Sequence, residues 1–119
     1  MNQTTKLVDV IVSGIQEKKG EDITIVDLSR IDGAITNYFV ICQGNSPTQV
    51  EAIAGSVSDM VKEQLHEKPS NVIGLGNDQW VAIDYTDVIV HIFQPDTRGF
   101  YDLENLWEDA NLTNVPNLY

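Results

Sequence analysis

Cysteine occurs once, at Cys42, so no internal disulfide can form and a metal site would lack paired thiolates. Inside an apolar segment, that lone thiol reads as a small hydrophobic residue. Histidine is nearly as scarce. His66 and His91 fall in different segments without metal-ligand spacing, and neither a metal nor another cofactor is expected. Basic residues are few: seven against eighteen acids give a net charge of -11 and a pI near 4.2. Nucleic-acid binding draws its affinity from Lys and Arg displacing counterions, so direct nucleic-acid readout is not expected. A basic protein partner is favoured instead by electrostatic steering; acidity that serves only solubility is the alternative. Long apolar runs are missing too. Nothing approaches the roughly 20 residues of a membrane-spanning helix. Met1–Lys6 has neither a signal core nor an arginine-rich transit character, so a cytoplasmic protein is expected.

What is present suits one domain: 119 residues, 42% of them apolar, can fill a single core. Leu7, Val8, Ile11, Val12 and Ile15 recur at helical spacing within residues 4–19. Thr4 or Thr5 can cap that helix, and Gly20 is placed to stop it. The β-branched run Ile23–Leu28 predicts a strand, and Tyr38–Cys42 a second one that is apolar on both faces. Ser46, Pro47 and Gln49 form a capping box for a helix whose buried stripe runs from Val50 to Leu65. Val72-Ile73 reads as a short edge strand. The order predicts an α/β fold, a mixed sheet of four to six strands with helices packed on it. Residues 1–107 form the domain, and residues 108–119 are expected as a loose tail.

The chain is organised around Gln79–Phe93, two strands joined by a tight turn at Thr86. Trp80, Ala82 and Asp84 fall on one face of the first strand; Val81, Ile83 and Tyr85 fall on the other. Val88–Phe93 is apolar on both faces except at His91, as in a central, doubly covered strand. After Pro95 a short helix is expected over Phe100–Trp107. Trp80, Tyr85, Phe100, Tyr101 and Trp107 crowd this region, and large rings beside acids suit a protein interface. Trp80 can be core or anchor, and Tyr85 is expected exposed at the turn. Asp84 and Asp87 can cap that turn or pair with a basic partner. His91 reads as a hydrogen-bonded core histidine, and Arg98 as an internal ion pair with Asp102 or Glu104. The candidate partner-binding set is Trp80, Asp84, Tyr85, Asp87, Val88, His91, Arg98 and Tyr101; no catalytic residue is assigned.

Gln79–Tyr85 followed by Asp87–Phe93 resembles the signature strand pair of the ribosomal silencing factors, or Iojap-like family. The Arg98-x-x-Tyr101-x-Leu103-Glu104-x-Leu106-Trp107 pattern is similar to the family's carboxyl-terminal motif. Lys19–Ile23 and Tyr38–Cys42 with Gly44-Asn45-Ser46 agree as well, so the resemblance covers about residues 5 to 107. Asn37 and Thr86 depart from it, standing where the family commonly has aspartate and glycine. The resemblance implies a nucleotidyltransferase-like topology without established transferase chemistry. It also implies binding to the fourteenth protein of the large ribosomal subunit, a position that blocks joining of the small subunit and slows translation when nutrients are short.

Two other functions are compatible with the residues. A small nucleotidyltransferase would use Gly44-Asn45-Ser46 at a strand-to-helix junction, but it needs two carboxylates sharing Mg²⁺. Asp84 and Asp87 are three apart and divided by a turn. A homodimeric adaptor, paired through a sheet edge, is the other.

Overall fold

The computed structural model describes residues 3–118. Helix α1 (Gln3–Glu17) is followed by strands β1 (Glu21–Asp27) and β2 (Tyr38–Gln43), then by helix α2 (Pro47–Leu65). Strands β3 (Asn71–Ile73), β4 (Trp80–Asp84) and β5 (Val88–Phe93) come next. Helix α3 (Pro95–Tyr101), a single 3₁₀ turn (Leu103–Asn105) and strand β6 (Asn111–Val115) complete the chain. The sheet runs β3-β4-β5-β2-β1-β6. Only β2 and β5 are parallel; every other neighbouring pair is antiparallel. The two strands that are apolar on both faces are therefore the two central ones, covered from both sides.

Local chemistry explains the helix ends. Ser46 Oγ accepts from the Gln49 N–H at 3.1 Å, and Gln49 Oε1 accepts from the Asn45 N–H at 2.8 Å, closing the capping box one residue early. At the end of α1 the left-handed residue is Lys19, with φ 60°, and not the expected Gly20. Gly20 N–H reaches Ile15 O and Lys19 N–H reaches Gln16 O, both at 3.0 Å, which is a Schellman closure. Gly20 is needed for space: a Cβ there would stand 2.3 Å from Ile15 Cγ2.

Helices α1 and α2 pack side by side and cover one sheet face. Beneath them lies the main core, with Ile11, Ile15, Val40, Val50, Ile53, Val57, Val81, Ile83, Val90 and Ile92 buried. The opposite face carries a second cluster of Val26, Leu28, Phe39, Ile41 and Phe93, roofed by Ile31, Leu103 and Trp107. At ~25 cal/mol per Å² of apolar surface removed from water, the larger helix-side cluster supplies most of the folding drive.

Two expectations fail near the carboxyl end. The helix over Phe100–Trp107 instead starts at Pro95 and stops at Asp102, which takes a left-handed conformation with φ 48°. Pro95 fits the first turn because its missing N–H has no helical partner there. The stretch expected as a loose tail contains β6, which pairs with the edge of β1 from Ile23↔Val115 to Asp27↔Asn111. Thr24 Oγ1 donates to Asn114 Oδ1 at 3.0 Å, and Asp22 N–H to Asn117 Oδ1 at 2.9 Å. A largely polar segment, ending just before Pro116, becomes a strand here because β1 offers it unpaired backbone groups.

Candidate functional site: an aromatic sheet face

Trp80 opens β4 on the face turned away from α1 and α2. The loop before it depends on Gly74, where φ is 97° and a Cβ would stand 2.0 Å from Trp80 O. Across the ladder Trp80 pairs with Phe93, and the two rings stack at 4.9 Å with 27° between their planes. Diagonally, Trp80 Nε1–H donates to His91 Nδ1 at 3.0 Å. Tyr101, from the end of α3, lies 4.7 Å from the indole, and Phe100 meets Tyr101 edge-on at 5.0 Å. On the other side His91 packs perpendicular to Phe39 at 4.6 Å, and Phe39 against Trp107 at 5.4 Å. The rings form one run from Phe100 to Trp107, buried at its centre, exposed at the Phe100 end and half-buried at Trp107.

The electrostatics of the run are lopsided. Its buried imidazole is held neutral, with a pKa lowered to about 4 by burial. Accepting at Nδ1 leaves the proton on Nε2, which is buried without a hydrogen-bond partner. Along the chain that supplies most of these rings, residues Asp78 to Asp109 carry eight acids against one base, Arg98. That base is already committed. Arg98 Nη2 lies 2.8 Å from Glu104 Oε2, and the guanidinium also donates to Asp22 O, Thr24 Oγ1 and Gln43 Oε1. Glu104 is thereby neutralised, and among the described residues the other seven acids have no ion pair. Ile73 and Leu75, both largely exposed, extend the apolar surface beyond Trp80.

The structure divides the expected partner-binding residues. Trp80, His91 and Tyr101 converge. Asp84 shares their face at the far end of β4, where its Oδ1 accepts from the Thr86 N–H at 2.7 Å, so it caps the turn. Asp87 is exposed beside it. Tyr85 is not exposed: it is buried with Val88 under the helices, on the opposite side of the sheet from Trp80. The alternation along β4 continues into the turn and carries Tyr85 inward. Its hydroxyl finds no partner of good geometry, and burial raises its pKa while Ser58 pulls the other way. Arg98 makes the ion pair with Glu104, not with Asp102, and faces a cleft beside β1 and β6. Phe39 and Ile73 join the face unannounced, because only strand register puts them there.

No catalytic constellation is assembled from these groups. Among the described residues, no three or more His, Cys, Asp or Glu side chains converge as metal ligands would. Burial pushes the Cys42 thiol up to about 12, which makes it a poor nucleophile. No helix among the described residues is long and apolar enough to cross a membrane.

These features define a small acidic α/β sandwich, sealed by helices on one sheet face and left partly open and aromatic on the other. The chain belongs to the ribosomal silencing factor family: it matches the family described as "ribosomal silencing factor during starvation" over residues 1–118. The ribosomal silencing factor of Bacillus subtilis is 36% identical over 97% of this chain and 95% of its own length. A mouse protein named for mitochondrial assembly of the ribosomal large subunit is 30% identical over 84% of this chain, which spans 44% of that protein. The fold agrees with a Chromobacterium violaceum crystal structure at a TM-score of 0.84 and 29% identity, covering 89% of this chain and 87% of the other.

Proposed function

We propose that this chain is a cytoplasmic translational repressor. It docks on the fourteenth protein of the large ribosomal subunit through the aromatic face, stands where the small subunit must join, and so slows translation when nutrients are limiting. The observation that carries this reading is the half-open ring run centred on Trp80 and framed by unpaired acids, in a member of the silencing factor family. A basic protein surface complements it: the acids speed encounter, and desolvated rings slow release. Trp80, Tyr101 and Phe100 are the anchors, with Ile73 and Leu75 at the margin. Asp84 and Asp87 add charge at the far end of the hairpin. Tyr85, Val88, His91 and Arg98 act from beneath or behind the face, not by contact. Silencing by position requires no chemistry, and a standard interface of ~800 Å² per partner is within reach of one sheet face and the adjoining helix.

Co-sedimentation with separated ribosomal subunits tests this directly. The chain is expected to travel with large subunits, not small ones, and to reduce formation of whole ribosomes when small subunits are added. A chain that stays at the top of the gradient, or rides on large subunits while assembly proceeds undiminished, refutes the reading. Light scattering of the free protein separates a monomer from a homodimer.

A further inference from the structure

At the outer end of the ring run lies a cleft of about 370 Å³ lined by Gln79, Asp96, Thr97, Phe100 and Tyr101. A second cleft of similar size adjoins it and shares Gln79, Asp96 and Thr97, so the two form one trough. Its walls are of two kinds. Phe100 is 81% exposed and Tyr101 47%, and the rings stand at 87° to each other. Asp96 precedes Phe100 by four residues on α3, which puts both on the same side of the helix. Among the described residues Asp96 has no cation to pair with. The base nearest in sequence, Arg98, is spent on Glu104 and on acceptors in β1 and β2. A carboxylate without a counter-ion beside two exposed aromatic faces is electrostatically incomplete in the free protein.

We propose that this trough receives an arginine side chain of the docked partner. The guanidinium lies against Phe100 or Tyr101, with its N–H edge donating to the Asp96 carboxylate and the Gln79 amide oxygen. This rests on the docking reading above and deepens it, by naming the group that the face selects. Arginine fits better than lysine for three physical reasons. Its planar cation stacks on a ring, its five donors can serve a carboxylate and an amide together, and it is more weakly hydrated than an ammonium. A phosphate is excluded by Asp96 and the surrounding acids. Contact between Tyr101 and Trp80 makes the trough continuous with the main anchor. Trp80 therefore supplies buried apolar area while the trough supplies register and discrimination between basic partners.

The test is titration of isolated large subunits with the full chain and with Phe100→Ala, Asp96→Asn and the double variant, at several salt concentrations. Both side chains are exposed, so thermal melts should be close to wild type. Each single change is expected to weaken binding about tenfold. Asp96→Asn should also flatten the salt dependence. The double variant should bind about as the weaker single does, because both groups act on one cation. Phe100→Trp, a better cation–π ring, should bind at least as well as wild type. Singles that bind like wild type overturn the arginine trough and leave docking intact, and additive losses overturn the shared cation. A wild-type chain that fails to bind large subunits overturns the docking reading itself.

Discussion

The indole N–H of Trp80 donates to Nδ1 of His91 at 3.0 Å, so the ring that opens β4 is fixed from beneath by the neighbouring strand. The single polar atom of Trp80 is thereby satisfied inward, and the part of the ring that remains accessible is apolar. This arrangement needs a neutral imidazole, and burial among Phe39, Trp80 and Phe93 maintains one. Anchor and support are coupled through one proton.

That coupling has a pH signature. The unfolded chain takes up a proton on His91 below about 6.5, whereas the folded chain does so only below about 4. Its contribution is therefore complete above pH 6.5 and is lost as pH falls through 4, by up to about 3 kcal/mol. Denaturant melts from pH 7.5 to 4 should show this loss, and His91→Gln, which keeps an acceptor without a titrating ring, should lack that component. Parallel pH profiles for the two proteins would refute it.

Trp80 and Tyr85 should separate cleanly in mutagenesis. Trp80→Ala is expected to cost at least about 2 kcal/mol of large-subunit binding, as central aromatic anchors do. Tyr85→Phe should be neutral or slightly stabilising, because its buried hydroxyl has only a poorly aligned Ser58 contact to lose. Tyr85→Ala should destabilise the fold by about 3–5 kcal/mol by opening a cavity. Calorimetric melts beside subunit titrations decide whether Tyr85 acts on stability alone.

Arg98 ties three elements together from the end of α3. Arg98→Lys keeps the charge but cannot span Glu104, Thr24 and Asp22 O, so a loss of about 2–4 kcal/mol is expected. Asp22 and Thr24 also hold Asn117 and Asn114. Hydrogen exchange should therefore rise first across β6, whereas uniform loosening of the whole sheet would count against this role.

Thr86 occupies a left-handed position at φ 76°, which costs energy in a β-branched residue. The contacts made there are by its backbone: its N–H to Asp84 and its carbonyl from Thr36. Thr86→Gly should keep both and stabilise the fold by about 1 kcal/mol, raising the melting temperature by roughly 4 °C. An unchanged or lower melting temperature would show that this turn is not strained.

Strand β4, strand β5 and helix α2 are legible in the chain, because alternation, continuous apolar runs and the Ser46–Gln49 box act over a few residues. The side of Tyr85 is implied by the same alternation, but its position beside the exposed turn at Thr86 points the other way. Strand β6 has no such signal: Asn111, Thr113 and Asn114 become a strand through pairing with β1, some ninety residues away. The start of α3 at Pro95 is ambiguous in the sequence, because proline both ends an extended segment and fits a first helical turn.

Composition and short-range pattern determined that this chain is an acidic α/β domain with a central apolar hairpin, and its motifs placed it in a family. Which rings touch, which acids stay unpaired and which edge is closed were decided only in three dimensions. Those depend on strand order and register, and a one-residue change in register would move every side chain to the other face.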